Sequence, residues 1–160
     1  MNTKLIIGLD PGSASGAWGM VDQHGKYIDC GAILSDEGRI EVESLFAILR
    51  FYADQYDEVY IAVEDVHTMP NQGIASSGKF MRAAGAIEAV ATIVGNKMIL
   101  VRPQLWKKHH NLIGTEKAAS LELARSIWPE APLKLKKHHN QADALLIALW
   151  LAHQKPSQFG

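Results

Sequence analysis

Cysteine is almost missing from this chain. Cys30 is the one thiol in 160 residues, so no internal disulfide can form, which agrees with a reducing cytoplasm. No apolar run nears the ~20 residues that span a bilayer, so no membrane partner is expected. Before the first apolar run stands only Lys4, with no cleavage-site pattern, so no signal peptide is expected. Internal repeats and low-complexity linkers are lacking too. A chain of this size, 48% hydrophobic and 21% charged, is expected to fold as one domain over residues 1–160 with a proper core.

Net charge is also nearly absent, at −1, but its distribution is uneven. Residues 1–80 hold 5 Lys+Arg against 12 Asp+Glu, and residues 81–160 hold 11 against 5. Such halves can set a cationic surface beside an acidic site, or simply reflect an unevenly charged solvated surface.

The organising stretch is Lys4 to Asp22. An apolar run ends on Asp10, Pro11-Gly12 breaks it, and Ala17 to Val21 returns along it. Tyr27 to Leu34 reads as a third strand, giving an antiparallel meander. Ile40 to Tyr52 has helical apolar spacing, and Val59 to Val63 is a fourth strand ending in Glu64-Asp65. Strand, crossover helix and strand form a right-handed parallel unit, so Asp10 and Glu64 are expected at one edge of the sheet. After a loop over residues 66–75, Ser76 or Ser77 is expected to cap a helix running to Val94 that is rich in small residues. Met98 to Val101 is a fifth strand. Pro103 to His109 and a segment starting at Thr115-Glu116-Lys117 are helical, 131–137 is a basic connection, and a last helix runs from Asn140 to His153 with Asp143 in its first turn.

Asp10, Glu64 and Asp143 are therefore the candidate site carboxylates. Any one of them alone has an ordinary reading, as a turn residue or a helix-dipole partner. Together they would repel one another and need cations. Oxygen ligands suit Mg²⁺ or Mn²⁺, and a pair of such ions about 4 Å apart can hydrolyse a phosphodiester. His139 and Asn140 precede Asp143 by four and three residues, on the same helical face, and an imidazole can ligate a metal or move a proton. Asp65 points to the other face of its strand and is read as structural or supporting.

Four segments in order, Ile7-Gly-Leu-Asp10-Pro-Gly, Val63-Glu64-Asp65-Val66-His67, Arg102-Pro-Gln-Leu-Trp106-Lys-Lys108 and Lys137-His-His139-Asn-Gln-Ala-Asp143, resemble the RuvC family of Holliday junction resolvases, and most of all its small phage and prophage members. The resemblance runs nearly end to end. It implies an α/β, ribonuclease H-like fold with a five-stranded mixed sheet in the order 3-2-1-4-5 flanked by helices. It implies a homodimer that resolves four-way and other branched DNA with two Mg²⁺ (or Mn²⁺) ions per site, leaving 5′-phosphate and 3′-hydroxyl ends. By position it makes Asp10, Glu64 and Asp143 the catalytic, metal-binding carboxylates, with His139 as the fourth member. Many cellular relatives carry an acidic residue or histidine where this chain has Asn140.

Arg102, Lys107, Lys108, Lys117, Lys134, Lys136 and Lys137 are then expected to meet DNA phosphates. Phe80 or Met69 could wedge a branch point, and a buried Phe80 at a helix start is an equally good reading. The small residues Gly85 and Ala89 suggest a close helix approach, either to a second copy or to the chain's own sheet. A flap or RNA nuclease of the same fold, or a non-catalytic DNA-binding protein, are the other readings. Actin-like ATPases and sugar kinases also begin with a Gly-x-Asp-x-Gly turn. Their second domain does not fit in this length, so no nucleotide cofactor is expected.

Overall fold

The computed structural model describes residues 2–12, 15–67 and 70–155. Strands β1 (Lys4–Asp10), β2 (Gly16–Asp22) and β3 (Tyr27–Ile33) form the antiparallel meander. A small hairpin, β4 (Ser35–Asp36) and β5 (Arg39–Ile40), precedes α1 (Val42–Ala53). Strand β6 (Glu58–Glu64) runs parallel to β1; α2 (Ile74–Val94) then leads to β7 (Lys97–Val101), parallel to β6. The remaining helices are α3 (Pro103–His109), α4 (Lys117–Ile127) and α5 (His139–Ala152), the last preceded by a 3-10 turn over Lys136–His138. The main sheet has the order β3-β2-β1-β6-β7. Numbered among themselves, its strands give the expected 3-2-1-4-5; the β4–β5 hairpin lies outside that sheet.

The sheet is covered on both faces. On one, Leu5, Ile7, Leu9 and Met20 pack with Leu45 and Leu49 of α1 and Ile87, Val90 and Ala91 of α2. On the other, Ile6, Val21 and Ala62 pack under α5, which α3 and α4 cover in turn. Hence α5 is buried nearly all round from Ala142 to Leu151, except at Asp143. Gly8 and Gly19 stand opposite each other on β1 and β2. A Cβ on Gly8 would lie 2.0 Å from the Ala144 carbonyl oxygen, and one on Gly19 2.6 Å from the Leu145 nitrogen. The paired glycines let the helix backbone lie directly on the sheet, which carries Asp143 to the end of β1.

Several boundaries differ from the sequence reading. Helix α2 begins at Ile74 with extended Gly73 at the N-cap and no side-chain cap, so neither Ser76 nor Ser77 starts it. Helix α5 begins at His139, which moves Asp143 into the second turn. There the helix-dipole explanation of this aspartate weakens, because the dipole acts over the first turn. The helix expected from Ile40 begins at Val42 as α1, and Ile40 instead ends the second strand of the hairpin at 35–40, which the sequence reading did not contain. Met69 lies outside the described residues, among which no helix is long and apolar enough to cross a membrane.

His110 ties α3 to α5. Its Nε2–H donates to the Leu146 carbonyl at 2.7 Å, and burial, with His109 and His153 nearby, pushes its pKa down from 6.5 to about 4. A depressed histidine pKa gives stability that is complete above pH 6.5 and lost as the pH falls toward 4. Unfolding midpoints measured between pH 7 and 4.5 are expected to fall more for the wild type than for His110→Gln, which keeps a donor but cannot titrate. Equal slopes would assign the acid sensitivity elsewhere.

Candidate active site

The site is assembled by strand register. Leu9 of β1 pairs with Val63 of β6, so Asp10 and Glu64 close two adjacent parallel strands at the same edge. Asp10 is 5% exposed. One of its oxygens accepts the Gly12 N–H at 2.9 Å, and Gly12 has φ +63°, a conformation that favours glycine. Glu64 pairs with Val101 of β7. The chain turns at Arg102, and α3 starts with Pro103 at its first position. One turn later Trp106 comes back over the sheet edge and donates its indole N–H to Glu64 Oε2 at 2.7 Å. Asp143 arrives from α5 and faces Ser120 of α4, which opposes the rise of its pKa, while the Ser120 hydroxyl donates to the Lys117 carbonyl at 3.1 Å.

The electrostatics agree with a shared site. Burial raises the pKa of Asp10 well above the ordinary carboxylate range, and Glu64 and Asp143 raise it further. Burial and Asp143 raise Glu64, and burial raises Asp143. Lys107 opposes the rise at all three. His139 and Lys117 do so at Asp143. No three donors of the His, Cys, Asp or Glu type close into a coordination shell among the described residues. The donor set still fits Mg²⁺ or Mn²⁺: it is oxygen-rich, and Mg²⁺ needs only one or two carboxylates because it keeps several waters.

A cleft of about 360 Å³ opens onto this edge, lined by Asp143, His139, Asn140, Trp106, Lys107 and Lys117 among others. The two candidates for the fourth position differ in employment. Asn140 donates its amide to the Ser15 carbonyl at 2.9 Å and lies 3.3 Å from the Ser15 hydroxyl oxygen, clasping α5 to the turn after Asp10. Among the described residues His139 makes a 3.3 Å contact with the Lys136 carbonyl and bears electrostatically on Asp143. His139→Ala is therefore expected to slow cleavage by about 10²–10⁴-fold, the range of a lost proton-transfer group, and Asn140→Ala much less. If single-turnover rates rank the two in the opposite order, Asn140 holds the fourth position.

Asp65 stands apart from the three carboxylates. Its N–H donates to the Val101 carbonyl at 2.7 Å and its carboxylate lies 3.9 Å from His67 Nε2. Of the expected DNA-contacting residues, Lys107 lies inside the acidic site and Lys117 at the cleft. Arg102, Lys108, Lys134, Lys136 and Lys137 are exposed on α3 and around the 3-10 turn. Phe80 is half-buried and lines a second cleft, of about 210 Å³, that also meets Gly12 and Lys79. The Trp106 hydrogen bond to Glu64 has no counterpart in the sequence reading.

A family model described as crossover junction endodeoxyribonuclease RuvC matches residues 6–153. The crossover junction endodeoxyribonuclease RuvC of Azorhizobium caulinodans is 29% identical over 156 residues, covering 94% of this chain and 90% of that protein. The protein of the same description from Nitratidesulfovibrio vulgaris strain DP4 is 30% identical over 158 residues, covering 94% and 91%. Among solved structures, T. thermophilus RuvC in complex with Holliday junction substrate superposes with a TM-score of 0.66 at 20% identity, covering 91% of each chain. That likeness carries the fold.

Proposed function

Because the chain belongs to the crossover junction endodeoxyribonuclease RuvC family, we propose that it resolves Holliday junctions and related branched DNA by cation-dependent phosphodiester hydrolysis at the Asp10–Glu64–Asp143 edge, leaving 5′-phosphate and 3′-hydroxyl ends. The observation that carries this reading is the convergence of three carboxylates, each with its pKa raised by burial, from β1, β6 and α5. Buried repelling carboxylates cost stability, and a structural role gives no reason to keep them.

Divalent cations bound here would supply Lewis-acid activation of water and of the phosphate. The chain's residues do the rest. Asp10, Glu64 and Asp143 would hold the cations, two per site. Lys107 offsets their negative charge, so a phosphate can approach an otherwise repelling edge. His139, at the rim of the cleft, moves a proton on or off the reacting oxygens. Lys117, Arg102, Lys108, Lys134, Lys136 and Lys137 neutralise backbone phosphates without reading bases.

A four-way junction has two-fold symmetry, so opposed nicks call for two sites related by a matching axis. We place a second copy of the chain on the outer face of α2. The test of the whole reading is an immobile synthetic four-way junction incubated with Mg²⁺ beside flap and RNA–DNA hybrid substrates. Symmetric paired nicks in the junction are expected. Preferential cutting of the flap or hybrid would assign the chain a different substrate, and metal-independent binding without cleavage would make it a DNA-binding protein.

A further inference from the structure

We propose that Trp106 is a positioning residue that sets the cation selectivity of the site, by holding Glu64 to one free oxygen and seating Lys107 beside it. The inference rests on the reading of Glu64 as a cation ligand.

An indole N–H can only donate, and a buried one usually finds an acceptor. Trp128 shows the ordinary outcome: its indole donates to the Gly25 main-chain carbonyl at 2.9 Å. Trp106, 1% exposed, donates instead to a site carboxylate, Glu64 Oε2, at 2.7 Å. Its position is fixed by backbone, because Val101 stands in register with Glu64 and α3 begins two residues later. The face of the same ring carries the Lys107 ammonium, 5.6 Å from its centroid, within cation–π range. One side chain thus holds an acid at its edge and a base on its face. Lys107 in turn bears on all three carboxylates.

The consequence is a matter of coordination. With Oε2 already accepting from the indole, Glu64 presents Oε1 to a cation as its free oxygen. Chelation through both oxygens would make Oε2 serve the indole and the cation at once, which weakens both contacts. Mg²⁺ takes single oxygens in near-ideal octahedral geometry, whereas the larger Ca²⁺ readily accepts two-oxygen carboxylate ligation. A fixed one-oxygen glutamate therefore favours the smaller ion.

Trp106→Phe removes the donor and keeps a ring under Lys107. Trp106→Leu removes both. Calorimetric titration of the DNA-free protein with Mg²⁺ and with Ca²⁺ is the test. In Trp106→Phe, Mg²⁺ affinity is expected to fall about 10-fold or more, the usual effect of losing a group that supports a metal ligand. Ca²⁺ affinity is expected to fall less, so that discrimination between the two ions shrinks. Trp106→Leu is expected to weaken Mg²⁺ binding at least as much, and to lower junction affinity as well through Lys107. A pure packing role would lower the unfolding temperature and leave the Ca²⁺/Mg²⁺ ratio at its wild-type value, which would overturn the proposal. Glu64→Gln separates the two failures. If it binds Mg²⁺ as tightly as the wild type, the ligand reading itself falls. If it loses Mg²⁺ while Trp106→Phe keeps the wild-type ratio, only the inference about Trp106 falls. Should Trp106→Phe not fold, the wild-type chain offers a second measure. The Trp106 indole N–H resonance should shift during Mg²⁺ titration with the calorimetric midpoint. An indole signal indifferent to Mg²⁺ would count against the proposal.

Discussion

Asp10→Asn, Glu64→Gln and Asp143→Asn are each expected to abolish junction cleavage and, without added cation, to raise the unfolding temperature. The first effect follows from lost charge at nearly constant volume: several kcal/mol of cation-mediated stabilisation disappear from the transition state, about 10³-fold or more in rate. The second follows from the raised pKa values. A carboxyl whose folded-state pKa lies above its unfolded value gives stability at low pH that is lost as the pH rises through the ordinary carboxylate range and beyond. All three carboxyls are displaced in that direction, so at pH 7 their ionised forms are a cost. Relieving it by about 0.5–2 kcal/mol, the usual gain when a functional compromise is removed, corresponds to about 2–4 °C per kcal/mol in a chain of this size. Mg²⁺ should raise the wild-type midpoint by binding the native state, and that increment should vanish in the variants. Junction binding without metal should persist or tighten. Full cleavage by all three variants would sink the reading of this edge as the reaction centre, and lower midpoints with the fold retained would show that the carboxylates stabilise the native state.

The sheet order was legible in the sequence because each strand is an apolar run bounded by turn residues, and a crossover helix between β1 and β6 leaves one parallel arrangement. That alone carried Asp10 and Glu64 to one edge. Asp143 was legible as a member only through the segment around it, because helical spacing says which face it shares and not where the helix lies. What places it is the glycine pair, Gly8 opposite Gly19. Each glycine reads singly as a weak point in a strand, and only the register between β1 and β2 makes them one platform for α5. The hairpin at 35–40 escaped for a related reason: two-residue strands have no periodicity to detect. In the sequence Trp106 stands only as one residue of a family segment, beside two lysines. Its hydrogen bond to Glu64 depends on α3 folding back over β7, a tertiary fact with no local signature. Lys107 read as a surface phosphate contact, and its field on the three carboxylates shows that adjacent lysines in one helix turn can serve different ends. Asn140 shows the converse, since its spacing from Asp143 suits a ligand but its amide is engaged by Ser15.

Gly85→Trp is expected to yield a folded monomer that nicks one strand of a junction and no longer resolves it. From the sequence, the small residues of α2 fitted equally a close approach to a second copy and a close approach to the chain's own sheet. The structure separates these positions. Ala84, Ile87, Val90, Ala91 and Val94 face the core. On the outer side a Cβ at Gly78 or Gly85 would meet nothing within 4 Å, and Ala89 is exposed. Ile74, Met81 and Ile93 are exposed along the same helix at 93%, 41% and 66%. With Gly78, Gly85 and Ala89 they follow one another at three- and four-residue steps, a single apolar stripe on one face. Two such stripes meeting across a two-fold axis would bury those side chains and use the glycines for close backbone approach. A tryptophan at position 85 has open space in the monomer and replaces a glycine that is unfavourable in a helix interior by about 1 kcal/mol relative to alanine. Circular dichroism and the unfolding midpoint should therefore be preserved, while its bulk holds the partner helix off. Sedimentation velocity reads the assembly, and a junction carried on a supercoiled cruciform distinguishes one nick from two. Unchanged dimerisation and paired cutting would move the axis to another face of the molecule.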